Sequence, residues 1–144
     1  MKQPMRMREM IVLRVVSRAF IPFILLFGLY VQFHGDFGPG GGFQAGVIFA
    51  AGLILYGLIF GLSAVQRVFT PPVVEFFMAV GLVLYAGTGL LSFLDPKLNY
   101  LDYDVLGSHG QHYGILLIEG GVGITVASTM LMVFYAFAAR GRRS

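Results

Sequence analysis

Four long apolar runs constrain this chain more than any other feature of its sequence. Each is close to the roughly 20 residues that an α-helix needs to cross a bilayer. Because backbone polar groups find no water inside a hydrocarbon layer, runs of this length form helices there. The pattern therefore predicts an all-α integral membrane protein, a single membrane domain over residues 1–144, with four transmembrane helices at about 10–33, 42–62, 73–94 and 113–138.

The composition agrees with a membrane location and excludes several other classes. Hydrophobic residues make up 57% of the chain, charged residues only 12%, and the mean hydropathy is +0.80, far from the values of a soluble domain. The absence of Cys excludes disulfides and thiolate metal sites. A net charge of +3 does not indicate nucleic acid as a partner, because the basic residues lie at the ends of apolar runs.

The distribution of basic residues predicts the topology. With four spans, Lys97 alone falls on one side, and all the others fall on the opposite side: Lys2, Arg6, Arg8, Arg14, Arg18, Arg67, Arg140, Arg142 and Arg143. By the positive-inside rule, we expect both termini to be cytoplasmic in a multi-pass protein of the cell inner (plasma) membrane. The loops between the first and second helices and between the third and fourth then face outward.

The connector between the first two helices, residues 34–46, reads HGDFGPGGGFQAG. Pro39 fixes one backbone dihedral, whereas Gly40, Gly41 and Gly42 allow conformations that other residues avoid. We expect a closely packed turn that docks the second helix into a larger complex, in preference to an ion-coordinating loop. The GxxxG pairs Gly42/Gly46 and Gly57/Gly61 predict close approach of neighbouring helices. Residues 63–72 are expected to be a short connector, ended by the helix-breaking pair Pro71 and Pro72.

Few acidic residues fall near the membrane, and each has two interpretations. Glu119, about two turns into the fourth helix, is the deepest carboxylate, and it either faces an ion path or joins helices through a hydrogen bond. Glu75, expected in the first turn of the third helix, either interacts with the helix dipole or pairs with Arg18. Arg18 and Arg14, one turn apart, alternatively reach lipid headgroups.

Polar groups near the outer loops complete the set of candidates. His34 and Asp36 are candidate entry-side groups of an ion pathway. His109 and His112 lack a third ligand at a useful spacing, so we predict no metal site and no cofactor. The chain also lacks a nucleophile–base pair and any cofactor motif, and we therefore predict that it is not an enzyme.

The connector and the last helix together resemble a known family. The sequence PGGGF followed by a small-residue-rich membrane helix, with an acid near glycines in the last helix, is similar to the MnhB (MrpB) family, small subunits of the Mrp-type multisubunit Na⁺/H⁺ antiporters. The family's Pro and Phe fall on Pro39 and Phe43, and its last-helix carboxylate falls on Glu119. A Lys that family members often carry before the last helix is replaced by Ser108 and His109, so a role for that Lys does not transfer.

The resemblance implies a small membrane subunit that works with other subunits to exchange Na⁺ for H⁺ at the expense of the proton-motive force, in contact with membrane lipid. Related complex-I-like respiratory assemblies contain similar subunits and are the alternative parent complex. A stand-alone homodimeric transporter fits less well, because the first two helices contain no carboxylate and Glu119 lies off-centre. No Lys lies within the four predicted helices, so the chain alone lacks the usual proton relay.

Overall fold

The computed structural model describes residues 11–35, 40–91, 93 and 110–140. Over these residues the chain forms α1 (Ile11–Phe33), α2 (Gly42–Phe60), α3 (Leu62–Val68), α4 (Pro71–Leu91) and α5 (Gly110–Arg140). In the described part of the chain, α1, α2, α4 and α5 are long and apolar enough to cross a membrane. The predicted all-α class with four membrane-spanning helices is confirmed.

The segment between the second and third predicted helices differs from expectation. Residues 63–72 were predicted as a connector, but most of them belong to α3, a short helix separated from α2 by Gly61 at φ +98°. Pro71 and Pro72 do not end a helix; Pro71 is the first residue of α4. Proline suits that position because the first turn of a helix needs no backbone N–H donor.

Two shifted helix starts change the depth of the acidic residues. Because α4 begins at Pro71, its first turn contains no acidic residue, and the predicted first-turn dipole role of Glu75 is wrong. α5 begins at Gly110, three residues before the predicted start, so Glu119 lies further into its helix than expected. The nine-residue rise from Gly110 to Glu119 corresponds to about 13 Å.

α5 is the central helix of the bundle. It packs against α2 on one side and α4 on the other, while α1 packs against α2. Gly81 and Gly121 make the α4–α5 contact possible: a Cβ at Gly81 would lie 2.7 Å from the Gly121 carbonyl oxygen, and one at Gly121 would lie 2.8 Å from the Gly81 oxygen. Small residues thus bring the helix backbones together, as expected in membranes.

A cluster of buried apolar residues lies at the end of the bundle where α3 meets α4. Val65, Val74, Leu131 and Tyr135 are buried there. The Tyr135 hydroxyl donates a hydrogen bond of 2.7 Å to the Phe69 carbonyl oxygen, which the α3–α4 junction leaves without a helical partner. This bond fixes the C-terminal third of α5 against the junction, and the candidate site lies toward the other end of the same helix.

Candidate functional site

Glu119 is the acidic residue that the fold carries furthest into a membrane helix. If α5 is centred on the bilayer, Glu119 lies about 9 Å from the midplane, inside the ~15 Å half-thickness of the hydrocarbon core. Its side chain is half-buried rather than exposed to lipid. A carboxylate at that depth is costly unless protein groups, water or a cation surround it, so its neighbours define the candidate site.

The two described ends of the connector between α1 and α2 lie close together at the end of α1. The Val31 carbonyl oxygen accepts hydrogen bonds from the backbone N–H of His34 (3.3 Å) and of Gly41 (3.4 Å). A Cβ at Gly40 would lie 3.0 Å from that oxygen and 3.4 Å from the Gly35 Cα. The two ends of the loop therefore meet on one carbonyl group.

Gly41 requires glycine for a conformational reason. Its φ of +120° with ψ of 174° is a region that residues with a Cβ rarely adopt. The Gly41 carbonyl then accepts the first hydrogen bond of α2, from the Ala45 N–H at 3.0 Å. This single residue turns the chain from the loop into the helix.

The Glu119 carboxylate lies against this loop. A Cβ at Gly35 would lie 2.6 Å from Oε2 and 2.8 Å from Oε1 of Glu119, and a Cβ at Gly41 would lie 3.1 Å from Oε1. Glycines at these two positions leave room for the carboxylate beside bare backbone. The structure therefore joins the two sequence features that were singled out separately, the glycine-rich connector and the last-helix acid.

Backbone contacts between α2 and α5 set the position of the carboxylate. A Cβ at Gly42 would overlap the Glu119 carbonyl oxygen, and one turn later a Cβ at Gly46 would lie 2.6 Å from the Gly123 oxygen. The close approach predicted from Gly42/Gly46 thus occurs, and its partner is α5 of the same chain. The expectation that the connector docks α2 into a larger complex is untested, because the packing observed is internal.

Gln32 is a polar neighbour that the sequence analysis missed. A Cβ at Gly123 would lie 2.6 Å from the Gln32 Oε1, so the amide reaches α5 one turn below Glu119. Its Nε2 is buried and has no hydrogen-bond partner among the described residues. Its one sequence signal is that it is an amide side chain at the end of an otherwise apolar run.

A cleft of about 430 Å³ runs along the α2–α5 contact below this site. Its walls are almost wholly apolar side chains and glycines, with Gln32 near one end and Ser128 further along. Gly120 also lines the cleft, and a Cβ there would meet nothing within 4 Å. An apolar cleft of this kind does not provide a polar route through the chain.

The other candidate residues, which belong to the connectors predicted to face outward, are only partly described. The His34 ring stacks on Tyr30 with 5.0 Å between centroids, which holds it against α1. Phe43 is exposed at the start of α2, with 63% of its surface accessible. Asp36 and Pro39 lie outside the described residues, as do Ser108 and His109.

The structure does not bring Arg18 to Glu75. The Arg18 guanidinium carbon lies 5.5 Å from the centroid of the Phe60 ring, at the end of α2. Glu75 is exposed on α4, a helix that packs against α5, whereas α1 packs against α2. Across the described ranges no salt bridge joins these two side chains. Their pairing stays a prediction without support from the packing.

Comparisons with known proteins cover nearly the whole described region. A family model described as a domain related to the MnhB subunit of Na⁺/H⁺ antiporter matches residues 12–132. A protein of Staphylococcus haemolyticus (strain JCSC1435), named as a candidate antiporter subunit mnhB2, is 33% identical over 137 residues, covering 89% of this chain and 94% of the relative. Its namesake from Staphylococcus aureus (strain MRSA252) is 30% identical over 134 residues, with the same shares covered. The family match includes both the connector and Glu119.

Proposed function

We propose, because this chain belongs to the family related to the MnhB subunit of Na⁺/H⁺ antiporters, that it is a small membrane subunit of a multisubunit antiporter that exchanges Na⁺ for H⁺. The exchange is driven by the proton-motive force across the plasma membrane. Its partners are the other subunits of that complex, and no bond chemistry is required of this chain.

The observation that carries the proposal is the contact between the Glu119 carboxylate and the glycines of the connector. Both carboxylate oxygens lie beside Gly35, and Oε1 also lies beside Gly41. A carboxylate is the group that exchanges a proton for a monovalent cation at least chemical cost, because it binds either at the same oxygens. Glycine at these positions lets the bare backbone of the connector approach the carboxylate oxygens directly, with no side chain between them.

The depth of Glu119 favours a role in transport over one in packing alone. The α2–α5 contact is made by glycine backbones and does not need a carboxylate to hold it. An acid inside the hydrocarbon region is costly, and acids at such depths commonly lie on ion or proton paths. We assign Glu119 to the cation or proton path and the surrounding glycines to its positioning.

The chain needs partners to complete that path. Its two lysines, Lys2 and Lys97, both fall outside the four membrane helices predicted from the sequence. A relay that alternates protonation between an acid and a buried amine thus requires groups from other subunits. The apolar walls of the cleft below Glu119 likewise leave the continuation of the path to surfaces outside this chain.

The test is the substitution Glu119→Gln in the full set of subunits, expressed in a host without other Na⁺/H⁺ antiporters. In inverted membrane vesicles, we expect Na⁺-dependent dissipation of the pH gradient to fall by about tenfold or more, the effect of losing one charge-assisted contact. Glu119→Asp keeps a carboxylate and should retain part of the activity. Glu75→Gln is the matched control, because Glu75 is exposed away from the connector.

Assembly must be measured in the same vesicles by copurification of the subunits. If Glu119→Gln assembles normally and exchanges Na⁺ for H⁺ at the parental rate, the carboxylate is not part of the path and the chain's role is architectural. If Na⁺-dependent exchange is absent even from the parental complex, the assignment as an antiporter subunit is itself wrong.

A further inference from the structure

Two arginines of α1 converge on one aromatic ring at the end of α2. The guanidinium carbons of Arg14 and Arg18 lie 5.8 Å and 5.5 Å from the centroid of the Phe60 ring. Both distances are within the range of cation–π attraction. Arginine side chains that each extended separately to the headgroup region would point away from the neighbouring helix. These two instead contact the same aromatic ring on α2.

This arrangement concentrates positive charge without a counter-ion from the described part of the chain. Residues four apart on a helix are neighbours, and like charges at that spacing repel. Neither guanidinium forms a salt bridge within residues 11–35, 40–91, 93 and 110–140, and the aromatic ring supplies only a weak negative face. Two cations held together in this way favour an anion between them.

The pair has a small pocket beside it. A space of about 280 Å³ is lined by Ile11, Arg14, Val15 and Arg18. Ile11 and Val15 are exposed to 77% and 63%, so one wall of the pocket is apolar and open to the surroundings of the bundle. The lining of this space is almost wholly apolar and suits an acyl chain, whereas the guanidinium groups of the same two arginines, at the Phe60 ring, suit an anionic headgroup.

The location fits the edge of a bilayer. Arg14 and Arg18 lie within the first eight residues of α1, and Phe60 is the last residue of α2, so all three lie at the same end of the α1–α2 pair. Anionic headgroups are attracted to such basic boundaries.

We infer that Arg14, Arg18 and Phe60 form a binding site for an anionic phospholipid. The phosphodiester lies between the two guanidinium groups, each of which offers a planar pair of N–H donors to its oxygens. The Phe60 ring holds the guanidinium groups in place, and an acyl chain follows Ile11 and Val15.

The test uses the purified full chain, or the complex that contains it, reconstituted into nanodiscs of phosphatidylcholine with phosphatidylglycerol as the probe lipid. Binding is measured by native mass spectrometry of the released protein. Arg14→Gln with Arg18→Gln should weaken phosphatidylglycerol retention by about 25-fold, the product of a roughly fivefold loss for each guanidinium–phosphate contact. Arg67→Gln is the matched control, with the same change at an exposed arginine that is not on the ring, and should change retention less than twofold.

Phe60→Leu provides the second variant, because it keeps every charge and an apolar side chain at the end of α2. If the ring positions the guanidinium groups, Phe60→Leu should weaken retention of phosphatidylglycerol by about two- to fivefold, since a cation–π contact contributes roughly 0.5–1 kcal/mol. Simple attraction between a basic surface and anionic lipid predicts no change in this variant. Glycerol phosphate and inorganic phosphate, added separately, should compete only weakly if the acyl wall contributes.

Three results would overturn the inference. Equal retention in the double arginine variant and the parent would exclude the site, and equal losses in that variant and in Arg67→Gln would reduce it to general electrostatics. Full competition by inorganic phosphate would identify a soluble anion as the ligand. Circular dichroism of each variant establishes that its helices are intact. If the double arginine variant unfolds, Phe60→Leu still distinguishes a specific lipid site from general attraction to a basic surface.

Discussion

Gly42→Ala is the change that the structure predicts to be most disruptive at the candidate site. The added methyl group would overlap the carbonyl oxygen of Glu119. Both sides of this contact are backbone, so no side-chain rotation relieves it, and α2 must move away from α5. Because Gly42 is the first residue of α2, alanine gains little helix propensity there to offset the clash.

The magnitude follows from the size of the required shift. Separating α2 from α5 by about 1 Å gives up a quarter to a half of each van der Waals contact along the interface, and overpacking of this kind costs roughly 1–3 kcal/mol. For a chain of 144 residues that corresponds to a fall in the unfolding midpoint of about 3–10 °C. Gly87→Ala is the matched control, since a Cβ there meets nothing within 4 Å.

The assay is thermal unfolding of the isolated chain in detergent, followed by far-UV circular dichroism, which suits a helical protein without Trp. We expect a lower midpoint for Gly42→Ala and an unchanged or slightly higher one for Gly87→Ala, because alanine favours helix. Equal midpoints for Gly42→Ala and the parent would refute the backbone contact between Gly42 and Glu119. That result would also mean that close α2–α5 backbone packing does not set the position of the Glu119 carboxylate.

Two further variants test the other end of the bundle in the same unfolding assay. Tyr135→Phe keeps the ring but removes the hydrogen bond to the Phe69 carbonyl oxygen, and should lower the free energy of unfolding by about 0.5–1.5 kcal/mol; a parental midpoint would contradict that bond. Gly61→Ala places a Cβ at φ +98° between α2 and α3, and should cost roughly 1–2 kcal/mol without loss of helical signal. A stabilised Gly61→Ala would instead show that α2 and α3 can join as one helix.

The spans could be predicted from the sequence because the bilayer imposes their length. Each of the four predicted helices has a counterpart, with starts and ends displaced by up to three residues in the described part. The junction before α4 was harder, since a Pro–Pro pair is compatible with ending one helix or beginning the next. α3 was missed because a seven-residue helix gives no periodic signal long enough to separate it from a loop.

The candidate site was predicted only in pieces. Glu119 was selected by its depth and the connector by its glycines, both of which are properties of single segments. The contacts of Gly35 and Gly41 with the Glu119 carboxylate join residues that are far apart in the sequence. The register of α2 against α5 determines these contacts. GxxxG spacing indicates that another helix can pack closely against this one, but it does not identify which helix does so. Gln32 carries neither charge nor motif, and an amide at the end of an apolar run is too common a signal to single it out.

The geometry separates the position of Glu119 from its chemistry. Its position depends on contacts between its own backbone oxygen and Gly42, and between Gly123 and Gly46, none of which involves the carboxylate. We therefore expect Glu119→Gln to change what the side chain can bind and to leave these backbone contacts intact. Gly42→Ala does the opposite, because it moves the helix and leaves the carboxylate chemically intact. If both variants reduce transport but only Gly42→Ala reduces stability, the Glu119 carboxylate acts in the ion path and the glycines position that carboxylate.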